Sequence, residues 1–198
     1  MFNSEWQVKA YLKEYKLDDV NLKIIKELKP NSSVLALGCG GGREVRALLK
    51  EGHEVVAIDF APNMIQQSKQ LAPEAKYFCI DAVEFGREAD FRFDYILGLH
   101  SFLNYIDKND RKEFIDNLRR MLNPEGEMIF EIRLWTERFI DSVKTLLSWP
   151  CTKEFGDTYS RNGLGGYTIS HQFTKGQIRK LFKEYNYDMN KNIIRVKK

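Results

Sequence analysis

Gly38, Gly40 and Gly42 stand on alternate places directly after a short apolar run, and Asp59 and Asp81 each follow a similar run further on. Glycines so placed allow a tight turn and let backbone N–H groups come close to a ligand, because no Cβ stands in the way. Asp59 follows Gly38 by 21 residues, where a carboxylate can accept hydrogen bonds from two ribose hydroxyls. Together, a glycine-rich turn and a sugar-binding carboxylate point to a cofactor that contains a nucleoside. Two nucleotide chemistries lose support from the same residues. The dinucleotide pattern G-x-G-x-x-G/A places Arg43 in its sixth position when counted from Gly38, and it fails again when counted from Gly40. The phosphate-cradling pattern G-x-x-x-x-G-K-[ST] is absent.

These residues need elements that end where they stand. The run over 34–37 is apolar at every place, as in a strand buried on both faces, and it enters the glycines directly. Helical spacing over 43–50, a strand over 54–59, a helix over 63–71 and a strand over 75–81 follow. A fourth strand over 93–97, a helix over 111–122 and a fifth strand over 127–132 continue the series. Regular alternation predicts an α/β, Rossmann-like, mostly parallel sheet with helices on both faces. In such a sheet ligands lie beyond the carboxyl ends of the strands, where the glycines, Asp59 and Asp81 would all stand.

Before this core, residues 4–28 carry apolar side chains at intervals of three and four, which predicts helices broken near 16–19, with Ser4 and Gln7 as a capping box. After it, the pattern weakens. A helix is expected over 136–147, a turn-rich stretch over 156–166, a strand over 167–172, a helix capped by Thr174, and a last strand over 192–196. The reading is one domain over 1–198: N-terminal helices over 1–30, a cofactor-binding core over 34–132 and an insertion or lid over 134–172.

Composition narrows the setting. With 198 residues, 43% of them hydrophobic, the chain has the size and the apolar content for one packed core. The net charge is +3, from 31 basic against 28 acidic residues, without a basic arm; nucleic acid is neither required nor excluded as a partner. Cys39, Cys79 and Cys151 form no C-x-x-C pair, which argues against zinc and a disulfide framework and suggests buried thiols in a reducing compartment. No apolar stretch has the length of a signal peptide core or a membrane span, so a cytoplasmic protein without membrane attachment is expected. Nothing in the sequence speaks to oligomeric state.

Read in order, the stretches 34–42, 55–65, 81–82, 93–101 and 118–127 resemble the class I S-adenosylmethionine-dependent methyltransferase family, over residues 34–132. The resemblance implies S-adenosylmethionine as cofactor. Gly38, Cys39, Gly40 and Gly42 would pass under its methionine part, Asp59 would hold the ribose, and Phe60 and Met64 would flank the adenine. Asp81 and Ala82 would meet the adenine amine, while Gly98 and Leu99 would line the path to the sulfonium. Two of these assignments have plainer rivals: Asp81 can cap a helix, and Phe60 with Met64 can be core residues at helical spacing. Two departures stand out. The acidic residue that the family places two positions before the first glycine is Ala36 here, with Glu44 the candidate to take over its task. The family's closing antiparallel hairpin has little more than one strand's worth of residues to draw on, so its seventh strand is expected to be missing or supplied differently.

Methyl transfer needs mainly position and a water-poor pocket. His100, just beyond the fourth strand, is the candidate general base, with a loop-bonding histidine as its rival. Ser101, Asn104 and Tyr105 could orient an acceptor. Trp135, Trp149, Tyr159, Arg161, Tyr167 and His171 fall in the lid segment. The reading is methyl transfer to an O or N atom of a small-molecule acceptor. The alternatives are a cofactor-binding module without turnover, prompted by Ala36, and an NAD(P)-dependent oxidoreductase.

Overall fold

The computed structural model describes residues 17–135, 154, 156–161 and 167–198. The Ser4–Gln7 box, the helix expected over 136–147, Trp149 and Cys151 lie outside them. In chain order the elements are α1 (Asp19–Lys26), β1 (Ser33–Leu37), α2 (Arg43–Lys50), β2 (Glu54–Asp59), α3 (Pro62–Leu71) and β3 (Lys76–Cys79). Next come α4 (Ala82–Glu88), β4 (Phe93–Gly98), a 3-10 turn (Phe102–Tyr105), α5 (Arg111–Arg120) and β5 (Leu122–Glu131). The last are β6 (Asp157–Arg161), β7 (Tyr167–His171), α6 (Lys175–Leu181), β8 (Tyr187–Asn190) and β9 (Ile193–Lys197).

Seven strands form one sheet in the order β3-β2-β1-β4-β5-β9-β8. The first five are mutually parallel, and β9 runs antiparallel to both β5 and β8. Strand order reverses at β1, which lies between β2 and β4, so a crevice opens beyond its carboxyl end. Side-chain alternation divides the interior into two cores. Leu35 and Leu37 face one side with Phe85, Phe114, Leu118, Phe130 and Phe182, under α4, α5 and α6. Val34 and Ala36 face the other with Ile25, Val45, Leu48 and Ile65, under α1, α2 and α3. A strand that feeds two cores must be apolar at successive places, which is why its run is continuous.

Several sequence expectations need correction. Both strands of the closing hairpin are present: β8 needs four residues and β9 five, and Lys191, at φ 55, lies in the turn between them. A two-residue connection fits two strands into a stretch that looked like room for one. The turn-rich segment contains β6, which pairs antiparallel with β7 from Asp157↔His171 to Arg161↔Tyr167. Helix α4 was expected only through Asp81 as a possible cap; at seven residues it is too short to show a clear period. Strand β5 starts earlier than the apolar pattern suggests, and a register shift at Phe93/Tyr95 accommodates Pro124, as bulges do. Cys39 is buried, but Cys79, at the end of an edge strand, is exposed.

Phe130 is fully buried, and its ring centroid lies 6.4 Å from that of Phe182, the C-cap of α6. Replacing it leaves a hole that the sheet cannot close. Phe130→Ala is expected to cost about 3–5 kcal/mol. In urea unfolding the midpoint should fall while the slope stays unchanged.

Candidate active site

The crevice is built from five strand ends. After β1 the chain turns through Gly38, Gly40 and Gly42, whose φ angles of 60°, 50° and 88° all lie in the left-handed region where a side chain is strained. Two of them are also close-packed. A Cβ on Gly38 would fall 2.6 Å from the ring of Phe102, and one on Gly42 would fall 2.8 Å from Cα of Ser68 on α3. At Gly38 and Gly42, then, the missing Cβ makes room for neighbours within the chain. Gly42 opens α2 without a side-chain cap.

Asp59 holds this turn in place. The Gly40 N–H donates to its Oδ2 and the Ala61 N–H to its Oδ1, both at 2.9 Å. Burial raises the carboxyl above its ordinary range, and the two N–H groups oppose that rise without cancelling it. Each oxygen still has capacity to accept another donor. Phe60, next in sequence, is 56% exposed, whereas Met64 is 2% exposed and packed inward. The core reading therefore describes Met64, and its face is not open to a ligand. Asp81 is the N-cap of α4, accepting from the N–H groups of Val83 and Glu84 at 2.8 and 3.3 Å. Its carboxylate is exposed beside buried Ala82.

Beyond β4, Gly98 lies against Phe130, where a Cβ would approach the ring to 2.7 Å, and Leu99 is buried. His100 and Ser101 both adopt left-handed backbone, at φ 50° and 62°. Two contacts hold His100 there. Its N–H donates to Glu131 Oε2 at 2.7 Å and its Nε2 lies 2.6 Å from Glu44 Oε1, while Asn21 Nδ2 of α1, itself a donor, stands 3.2 Å from the same nitrogen. The hydrogen bond to Glu44 raises the imidazole above its usual value despite burial. Burial pushes Glu44 up, but the hydrogen bond from His100, its charge and that of Arg43 together bring the carboxyl below its ordinary value. His100 Nε2 is thus committed to Glu44 as a donor.

Glu44 is only 8% exposed. With His100 it borders a small cavity of about 20 Å³, together with Ala36, Gly38, Leu97 and Leu99. The carboxylate lies beside the place left open by Ala36.

A family model described as a methyltransferase domain matches residues 34–126. The fold agrees. A solved methyltransferase from Methanosarcina mazei superposes with a TM-score of 0.74 at 22% identity, covering 92% of this chain and 97% of its own. The matched region is a methyltransferase domain, and the fold is consistent with the class I S-adenosylmethionine-dependent methyltransferase family. An amino pentose methyltransferase from Micromonospora echinaspora has the same fold, with a TM-score of 0.70 at 15% identity, covering 100% of this chain and 98% of its own. Among curated proteins, the ubiquinone biosynthesis O-methyltransferase of Coxiella burnetii is 31% identical over 121 residues, 58% of this chain and 50% of that protein. A probable thiol methyltransferase of Arabidopsis thaliana is 28% identical over 108 residues, 50% of this chain and 46% of that protein. The chain thus spans about half the length of these curated relatives.

Set beside the family's pattern, the structure joins Gly40 to Asp59, sets Glu44 beside Gly38 and His100, leaves Phe60 exposed and places Met64 in the interior. Sequence reasoning missed three contributors. Glu131 closes β5 as Asp59 closes β2, so the strand-end rule that found one should have found the other. Asn21 and Phe102 come from elements with no motif to mark them.

The Glu44–His100 pair has a definite pH signature. His100 is raised in the folded state, so its contribution is complete below about 6.5 and fades as pH rises through the higher folded value. Glu44 is lowered, so its contribution is complete above about 4.5 and fades in acid. The stability gap between wild type and Glu44→Gln should therefore be largest between about pH 5 and 6.5 and shrink on both sides, as read by urea unfolding across pH.

Proposed function

We propose that the chain transfers the methyl group of S-adenosylmethionine to an O or N atom of a small molecule, within the general class of methyltransferases (EC 2.1.1.-). The observation that carries this reading is Asp59, clamped by Gly40 and Ala61 at the end of β2 with acceptor capacity left on both oxygens. A ribose diol would donate to those oxygens. The exposed ring of Phe60 would cover one face of the adenine, while Asp81, Ala82 and the backbone of Cys39 would border the nucleoside. These residues fit the nucleoside part of the cofactor. At the methionine end Glu44 supplies the acid that Ala36 lacks, and its lowered pKa keeps it ionised toward a positively charged amine.

When bound, the cofactor supplies a methyl group on a cationic sulfur. The chain's own residues do the rest by binding and by excluding water. His100 acts as a positioning residue: its ring Nε2 holds Glu44, and its main chain, fixed by Glu131, sets the course of the loop after β4. Relatives support a small acceptor, since one is named for an O-methylation in ubiquinone biosynthesis and another is an amino pentose methyltransferase. Cytoplasmic residence belongs to the same reading; among the described residues no helix is long and apolar enough to cross a membrane.

Calorimetry with S-adenosylhomocysteine tests the reading directly. Wild type should bind it and ignore NADH. Asp59→Asn removes charge-assisted hydrogen bonds worth about 1.5–3 kcal/mol, so its affinity should fall roughly 10- to 150-fold. Tight binding of NADH alone would overturn the proposal.

A further inference from the structure

Strand order reverses at β1, so the gap between the ends of β1 and β4 is where a ligand of this sheet enters. That gap is nearly filled. Gly38 and Cys39 line it after β1, Leu97, Leu99 and His100 line it from β4 and its loop, Glu44 reaches it from α2, and about 20 Å³ is left between them. A volume of that size admits one water molecule. The amino-acid end of S-adenosylmethionine is several times larger, so Glu44 and His100, 2.6 Å apart, must part before it can enter.

Helix α1 supplies a second partner for the same histidine. Asn21 is fully buried, and its Nδ2 stands 3.2 Å from His100 Nε2 while its Oδ1 has no partner. Nε2 carries the hydrogen that goes to Glu44, so two donors face each other and a buried acceptor is left over. Half a turn of the amide exchanges its two ends and offers Oδ1 to the Nε2–H. His100 therefore has two alternative acceptors, a carboxylate on α2 and a neutral amide on α1. The other ring nitrogen, Nδ1, is not among the buried atoms that lack a partner, and 30% of the side chain is exposed, so a proton leaving it can reach water.

The surrounding charges favour a change of protonation when the partner changes. The hydrogen bond to Glu44 raises the imidazole, with help from Glu131, against burial and Arg43, whose Nη2 lies 3.9 Å from Glu44 Oε1. With a neutral amide in place of the carboxylate, burial and Arg43 would prevail and the ring would give up a proton. Cys39 does not compete: burial first, then the charges of Asp59 and Glu44, push its thiol up and keep it protonated.

We propose that the ammonium group of the cofactor takes Glu44 from His100, whose Nε2–H passes to Asn21, so that binding opens the crevice and releases a proton from the ring. The proposal deepens the methyl-transfer reading and rests on it. The imidazolium keeps its Nε2 hydrogen and gives its Nδ1 proton to water. Glu44 stays ionised and exchanges one cation for another, and Asn21 Oδ1 gains the donor it lacks.

Calorimetry on the full chain at pH 6.5, in phosphate and in Bis-Tris, counts the protons released, because the two buffers take them up with different heats. At that pH, below the raised value, the ring is more than half protonated, so S-adenosylhomocysteine should release about half a proton to one. Methylthioadenosine keeps the nucleoside and the thioether but has no ammonium, and it should release none. In His100→Asn, whose side chain tolerates the left-handed backbone, neither ligand should release a proton. In the chain labelled with ¹⁵N-histidine, the His100 signals, assigned by their loss in that variant, should change on adding S-adenosylhomocysteine from protons on both nitrogens to one on Nε2 alone. Asn21→Leu should weaken S-adenosylhomocysteine about 2- to 13-fold and leave methylthioadenosine within about twofold. Binding of S-adenosylhomocysteine without proton release, equal release by methylthioadenosine, or an unchanged His100 spectrum would overturn the inference and leave methyl transfer standing. Failure of both ligands to bind would remove the methyl-transfer reading and this inference with it.

Discussion

One carboxylate sets the geometry of the cofactor crevice. Asp59 accepts an N–H from the loop after β1 and another from the residue that caps α3, so the ends of two neighbouring parallel strands are fastened to a single side chain. Backbone bonds from Cys39 to Ile58 and from Gly42 to Cys39 also hold the glycine turn, but Asp59 is the side chain that reaches it, for α2 opens without a side-chain cap. Burial makes the carboxylate less acidic, and the N–H groups restrain the shift, so the anion is stabilised by the same bonds that shape the loop. Structure and ligand affinity are therefore joined at this residue.

A second acid completes the crevice from an unexpected direction. Where the family pattern places a carboxylate on β1, this chain has Ala36, and a helix residue, Glu44, reaches the same space from the opposite side of the glycine turn. Its partner His100 holds a left-handed backbone conformation, kept there by Glu131 and Glu44. Departures from a local rule are tolerated where neighbours fix the geometry from several sides.

The sheet from β1 to β5 was legible because burial on both faces forces continuous apolar runs and the crossover helices α2, α3 and α5 carry their own period. Asp59 and the glycines were legible for the same reason, as the residues at which those runs stop. What escaped were features with no periodic trace. The four-residue strand β8 and the seven-residue helix α4 are too short to repeat, and β6 is hidden among turn formers. The two histidines divide along the same line. His100 was found by its place after β4, but the partner that decides its role, Glu44, became visible only when α2 was laid against the loop. His171 drew notice as a lid residue, whereas its bond to Asp157 depends on the antiparallel register of β6 and β7.

Glu131 carries a consequence for how the crevice comes into being. Its two carboxylate oxygens face different parts of the chain, one receiving the His100 N–H and the other approached by Asn192 from the bend between β8 and β9, while the Ile132 N–H donates to the Asn192 carbonyl. The loop beside the crevice is thereby braced by a segment that lies some ninety positions further along the polypeptide. During synthesis the nucleoside end of the crevice can take shape while only the first half of the protein has emerged, but the brace must wait for residues 187–197, so its final rigidity arrives as one of the last events of folding.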